Sequence, residues 1–102
     1  MKEIIATEKF KRSFRKFVKR NAQLEQKIIE TLKLMQEDIF TPQLATHSLQ
    51  GKLLGLKACS CGYDCRIVFF LETTETNDKE QKEVIILIDI GTHDQVYYQK
   101  GF

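Results

Sequence analysis

Val84-Ile85-Ile86-Leu87-Ile88-Asp89-Ile90 runs directly into Gly91-Thr92-His93-Asp94-Gln95-Val96-Tyr97. The first stretch has a single polar member and is rich in β-branched side chains, which predicts a strand in a sheet interior. It ends in a glycine turn bearing an imidazole, a carboxylate and a phenol, groups that a rigid strand end holds at a fixed place. Two upstream segments place further polar groups beside apolar runs: His47-Ser48-Leu49-Gln50-Gly51 and Asp64-Cys65-Arg66-Ile67-Val68-Phe69.

Outward from that strand (Glu83 to Ile90), two more are predicted, Lys52 to Cys59 and Cys65 to Glu72. Gly62-Tyr63 turns this pair, and Thr73 to Lys82, rich in Thr, Asn, Asp, Glu and Lys, reads as a solvated hairpin loop. Hairpin-joined strands are antiparallel. At the other end, Lys2 to Ala6 reads as a short opening strand and Thr7 as a helix N-cap. Phe10, Phe14, Phe17 and Val18 then recur at helical spacing, and Asn21 breaks the helix. In a second helix Leu24, Ile28, Leu32 and Met35 form one stripe, widened by Ile29 and Leu34. Pro42 disfavours helix in the residue before it and stops the segment at Ile39-Phe40-Thr41. Gln43 to Gly51 then reads as a loop into the sheet. The expected fold is α+β: about four strands, antiparallel but mixed at the N-terminal strand, with an N-terminal α-hairpin packed on one face. Residues 47, 64, 66, 93 and 97 are expected together on the other face.

A chain of 102 residues has room for one domain, residues 1–102, burying roughly 60–65% of its unfolded surface. That leaves little space for a deep cavity. No apolar run approaches the ~18 residues of a membrane span, and the charged start Met-Lys-Glu-Ile-Ile-Ala-Thr-Glu does not fit a signal peptide. The expected location is cytoplasmic. Net charge is +2, yet residues 1–20 carry eight Lys/Arg against two Glu, and residues 72–83 carry five acids against two Lys. Such asymmetry marks a surface for a polyanion better than the total does, although on residues 9–20 alone an ordinary solvated helix face is the simpler reading. Cys59, Cys61 and Cys65 match no standard zinc spacing, and an odd count without an export signal reads as reduced thiols packed at the sheet. A zinc site completed by His47 or His93 is a weaker reading.

His93, just past a buried strand and four residues before Tyr97, is the sharpest chemical signal. An unperturbed imidazole titrates near pH ~6.5 and both takes and gives protons. The plain alternative is a turn histidine, with Tyr97 and Tyr98 as core or edge aromatics and Phe102 as a packing residue. Arg66 offers a fork of donors suited to phosphate, or else a strand-edge ion pair with Asp64. Asp64 is that arginine's partner, a proton acceptor or a turn residue. His47 sits beside Gln50-Gly51 and Gly55, where backbone can approach closely, and beside Lys52 and Lys57. Two histidines, an aspartate, an arginine and a tyrosine in a small basic chain make RNA phosphodiester cleavage the leading expectation.

The ordered set His47-Ser48-Leu49-Gln50-Gly51, Gly55, Asp64-Cys65-Arg66-Ile67-Val68-Phe69 and Ile90-Gly91-Thr92-His93-Asp94-Gln95-Val96-Tyr97 resembles the RelE/ParE toxin superfamily, and within it the YafQ-like RelE/StbE toxins. The likeness runs from the first helix to the end. It implies a ribosome-dependent endoribonuclease that cuts mRNA, silenced by a co-expressed antitoxin in a hetero-oligomer. His47, Asp64, His93 and Tyr97 fall on functional positions of the YafQ-like group, and Arg66 on the strand arginine that RelE-like members use at the scissile phosphate. The chain departs from the group at Ser60 (histidine there), Cys65 (tryptophan) and Asp89 (arginine). The expected chemistry is 2′-hydroxyl attack without metal or cofactor. His93 is the general acid, Tyr97 orients substrate or shares that role, and His47 or Asp64 is the base. Arg66, helped by Lys52 or Lys57, stabilises the charged phosphorane. The seven Lys/Arg of residues 9–20, Lys11, Arg12, Arg15 and Lys19 foremost, are expected to face ribosomal RNA phosphates or an acidic antitoxin segment, with the antitoxin wrapping the toxin as an extended or helical segment. The competing readings are a ParE-like topoisomerase (gyrase) poison that acts by binding, and an inactive homologue that binds only its antitoxin.

Overall fold

Thr7 closes one element and opens the next. Its hydroxyl donates to the Leu87 carbonyl at 2.8 Å, fixing the end of β1 (Glu3–Ala6), and accepts the Phe10 N–H at 3.1 Å, capping α1 (Glu8–Arg20). The computed structural model describes residues 1–97. Tyr98 and Phe102, read above as packing aromatics, lie outside the described residues. At the end of α1, Asn21 gives both its backbone and its side-chain N–H to the Phe17 carbonyl. A 3-10 turn, Ala22–Leu24, then leads into α2 (Glu25–Glu37). The far end of α2 is tied to β1 by reciprocal Lys2–Gln36 hydrogen bonds, so the α-hairpin lies over the sheet as its apolar stripes require.

The sheet has five strands in the order β1-β5-β4-β3-β2, with β2 at His47–Ser48, β3 at Lys57–Ser60, β4 at Arg66–Glu75 and β5 at Gln81–Gly91. β1 runs parallel to β5 and every other pairing is antiparallel, the mixed sheet expected from the sequence. The additional strand is β2, a two-residue edge in which His47 pairs with Ala58. The expected strand Lys52 to Cys59 is shorter than its apolar content suggested. Gly51 (φ +65°) and Gly55 (φ +95°) adopt left-handed backbone that strands do not use, and Gly51–Leu53 forms a 3-10 turn that buries Leu53. The expected loop Thr73 to Lys82 is also shorter. β4 and β5 continue pairing to Glu75↔Gln81, because an exposed hairpin arm satisfies its backbone in the ladder.

Two apolar layers form on the sheet. On the helix side Phe10, Phe17, Ile28, Met35, Ile67, Phe69, Ile85, Leu87 and Ile90 pack together. On the other side a smaller cluster holds Leu49, Leu53, Ala58, Val68 and Val96. A bulge separates the phases of β5: Val68 pairs with Asp89 while Phe69 pairs with Leu87, so Ile88 is an extra residue. Leu87 and Ile90, three apart, therefore both join the helix-side core, and Ile88 packs on the opposite cluster.

The cysteines correct the expectation of three reduced thiols. Cys61 and Cys65, at either end of the β3–β4 turn with Cα atoms 5.0 Å apart, form a disulfide, and only Cys59 is free. The turn brings the pair within bridging distance, which spacing along the chain did not reveal. No helix among the described residues is long and apolar enough to cross a membrane.

Ile28 is fully buried between the hairpin and the sheet, so Ile28→Ala is expected to cost about 2–5 kcal/mol, measured by urea denaturation. The Cys59 thiol is pushed up from 9.0 to about 12, by burial first and against the opposing pull of Arg66. A raised folded-state value means the native state holds this proton more tightly. The resulting stability is complete below about pH 9 and is lost as pH rises toward 12, on the order of 4 kcal/mol at most. Cys59→Ala should flatten the alkaline fall in urea midpoint relative to the parent chain.

Candidate active site

Gly91 lets the chain fold back directly after β5. A Cβ at this position would lie 3.1 Å from the Gln95 Cβ and 2.7 Å from its Oε1. That oxygen accepts the Thr92 N–H at 2.9 Å, and the Thr92 hydroxyl accepts the Gln95 N–H at 3.2 Å. This reciprocal capping box starts a one-turn helix, α3 (His93–Tyr97), whose Val96 is fully buried against the opposite-face cluster. The expected turn is therefore a short helix, and its residues 93 and 97 are neighbours on one face. Their rings meet edge-on at 4.5 Å between centroids.

Three sequence-designated residues share one shallow cleft. His47, His93 and Tyr97 line it together with Ser48, Leu49, Gln50 and Leu53. Tyr97 lies between the histidines, its hydroxyl 3.5 Å from His47 Nε2. His47 Nδ1 is 3.1 Å from the Ala45 carbonyl, which selects a protonated Nδ1 and leaves Nε2 as the acceptor facing the cleft. His93 Nδ1 lies 3.4 Å from an Asp94 carboxylate oxygen. Burial pushes the Tyr97 phenol above its ordinary value, with Arg66 pulling it down and Cys59 adding a smaller upward push. Tyr97 therefore keeps its proton at neutral pH and can donate it.

Asp64 and Arg66 flank the cleft on a separate support. Asp64 holds a left-handed backbone, φ +48°, which a short polar side chain tolerates, and its Oδ1 accepts the His93 backbone N–H at 3.0 Å. It thus anchors the N-terminus of α3. Arg66 opens β4 opposite Gly91 and alternates onto Val68's face, away from the α-hairpin. Its Nη1 donates to the Cys65 carbonyl at 2.8 Å and the Gly62 carbonyl at 3.2 Å, with Ser60 Oγ at 3.5 Å. Among the described residues nothing takes its Nε or Nη2.

The proposed phosphate contacts are more dispersed. Lys57 donates to Ser48 Oγ at 3.2 Å, beside the cleft, and Lys52 is exposed on the 51–53 turn. Lys11, Arg12, Arg15 and Lys19 are carried on α1, across the sheet from the cleft. Lys19 lines a second, larger concavity of about 700 Å³ with Lys16, Arg20, Asn21, Asp89 and, from the α3 side, Thr92 and Gln95. Lys16 and Arg20 belong to the seven α1 cations expected at a polyanion surface, whereas Gln95 was not expected there, and the Thr-x-x-Gln spacing is the signal that marks it. The buried Asp89 carboxylate accepts the Ile90 N–H at 2.9 Å and lies 3.8 Å from Lys9 Nζ.

The cleft holds two imidazoles and a protonated phenol, and a carboxylate bonded to the His93 backbone N–H and a guanidinium flank it, a set suited to proton transfer around an anionic centre. Comparison with known proteins agrees with the fold around it. The chain is similar to YafQ from E. coli, with a TM-score of 0.71 at 13% identity over 95% of this chain and 99% of that one. It is similar to a YoeB/ParE toxin from Agrobacterium tumefaciens, with a TM-score of 0.69 at 13% identity over 89% and 98%. It is also similar to a chain of the E. coli DinJ-YafQ toxin-antitoxin complex, with a TM-score of 0.68 at 14% identity over 94% and 97%. No curated protein sequence matches the chain. The family model for YafQ matches residues 2–98, nearly the whole length. The chain therefore belongs to the YafQ family, bacterial toxins of type II toxin–antitoxin systems.

Proposed function

We propose that this toxin is an endoribonuclease of the cytoplasm that cuts mRNA on the ribosome and is held inactive by a cognate antitoxin. The observation that carries this reading is the meeting of His47, Tyr97 and His93 in one exposed cleft, with Asp64 bonded to the His93 backbone N–H and the Arg66 charge acting on the Tyr97 phenol. Attack of the 2′-oxygen on phosphorus requires a base at the 2′-hydroxyl and an acid at the 5′-leaving oxygen. It also requires cationic stabilisation of the phosphorane between them. His47, with Nε2 as acceptor, or Asp64 takes the 2′-proton, and the new O2′–P bond expels the 5′-oxygen. His93 gives that oxygen its proton, with Tyr97 orienting the phosphate through a phenol that stays protonated. Arg66 supplies charge at the phosphorane, helped by Lys57 or Lys52. The scheme is metal-independent. For antitoxin control, the supporting facts are membership in a family of two-component toxins and the likeness to a toxin solved with its antitoxin.

His93→Ala should lower cleavage by about 10²–10⁴ and abolish growth arrest, with the circular dichroism spectrum unchanged. Primer extension on transcripts after induction reads this directly. Unaltered toxicity of a folded His93→Ala variant removes His93 from the mechanism. DNA damage signalling without transcript cleavage would instead support topoisomerase poisoning.

The α1 cations are expected to serve ribosome binding rather than chemistry. Changing Lys11, Arg12, Arg15 and Lys19 together to Ser should weaken ribosome affinity. It should also flatten its salt dependence by roughly one log–log unit for each phosphate left without its cation, with the single-turnover cleavage rate preserved. Equal affinity and slope in the variant would leave α1 as a solvated face only.

A further inference from the structure

We propose that the Cys61–Cys65 disulfide is a positioning element for the cleft, so that its thiol–disulfide state sets the placement of Arg66 and Asp64. The effect on catalysis rests on the ribonuclease reading above, and the effect on geometry does not. The bridge closes a five-residue loop between β3 and β4, and site contacts hang on that loop from both sides. Arg66 Nη1 donates to the loop carbonyls of Cys65 and Gly62, and Asp64 Oδ1 holds the first N–H of α3. Gly62 (φ +125°) and Asp64 (φ +48°) both adopt positive-φ backbone, which glycine and a short polar residue accept, so the bridge, and not local preference alone, fixes the path of the loop.

Reduction removes part of that determination. Sulfurs that share no covalent bond stand well apart: in this same core the Cys59 thiol donates to Met35 Sδ at 3.7 Å. Both bridged residues are fully buried in the helix-side layer, so the sulfurs separate chiefly by shifting loop backbone. Asp64 and the Cys65 carbonyl move with it. Cys59 does not interfere. Its buried thiol, pushed up to about 12, holds almost no thiolate at neutral pH and so exchanges very slowly with the pair. The electrons must come from an external dithiol, whose thiolate reaches a buried loop sulfur only when the loop opens, and attacks it as the S–S bond breaks. Its second thiol resolves the mixed disulfide. Two electrons and two protons end on Cys61 and Cys65, and the reductant leaves as its own disulfide. Tyr63, 96% exposed, marks the open side of the loop.

The test compares the oxidised chain, the chain reduced with dithiothreitol, and C61S/C65S. Alkylation in denaturant counts thiols, amide hydrogen exchange follows His93, and ribosome-programmed cleavage gives kcat and KM. The expected result is one thiol rising to three on reduction, with faster exchange at His93 while core amides of β4 and β5 keep their protection. kcat should fall about 10- to 100-fold, the scale of a ~1 Å misplacement, with KM unchanged. C61S/C65S should match the reduced chain and ignore dithiothreitol. If that variant does not fold, reoxidation of the reduced wild type must restore both His93 protection and kcat. Three thiols before reduction, identical His93 exchange in both states, or a uniform loss of protection across the fold each overturns the proposal. If His93 exchange follows the redox state while neither state cleaves RNA, the positioning role stands and the ribonuclease reading falls.

Discussion

The extra residue in β5 governs both faces of this protein. β5 is flanked on both sides, with β1 parallel to it and β4 antiparallel, and strict alternation would send Leu87 and Ile90 to opposite sides. The bulge opposite Val68 and Phe69 lets both enter the helix-side core. It also leaves Gly91 paired with Arg66 as β5 hands over to α3. A one-residue slip at this place would exchange core and surface across the end of the sheet, and with them the position of α3.

The cleft depends on that handover and on little deep packing. α3 is a single turn, too short to be stable alone. It is held by the Thr92–Gln95 capping box, by burial of Val96 and by the Asp64 carboxylate at its start. The first two lie in the α3 segment itself, and the third comes from the β3–β4 turn. Asp64 belongs to a turn clamped by a disulfide, Arg66 opens the strand that leaves it, and His47 belongs to a two-residue edge strand joined to β3. The site is thus an assembly of ends and turns carried on a rigid sheet, the common arrangement for functional residues. The basic surface of α1 lies on the other side of the sheet from the cleft, and meets the α3 segment where Lys16, Lys19 and Arg20 share a concavity with Thr92 and Gln95. In the proposed function this divides the labour: cations on α1 for the nucleic-acid scaffold, titratable groups in the cleft for the bond that breaks.

Much of this was legible in particular residues. Phe10 and Phe17 at helical spacing, Ile28 and Met35 on a second stripe, and Thr7 ahead of both specified the α-hairpin, because amphipathic period and capping chemistry are local. The apolar run Val84 to Ile90 identified β5 for the same reason. Gly91 before a histidine and a tyrosine marked a place where polar groups leave the sheet. The capping box at Thr92-His93-Asp94-Gln95 was equally present in the letters, although so short a segment reads first as a turn.

What the chain alone determined is the set of elements and the residue types at their ends, since propensity, period and caps act over a few neighbours. Only the tertiary structure decided which residues meet. The bulge at Ile88 is a property of two strands in register, and the Cys61–Cys65 bridge depends on the path of the β3–β4 turn. The His47–Tyr97 approach, fifty positions apart in sequence, follows from strand order. The left-handed backbone at Gly51 and Gly55 keeps β3 short, because positive-φ backbone cannot continue a strand whatever the apolar content of the segment. Contacts between distant segments have no local signature. They arise where the core closes, and the core is shared by every element at once.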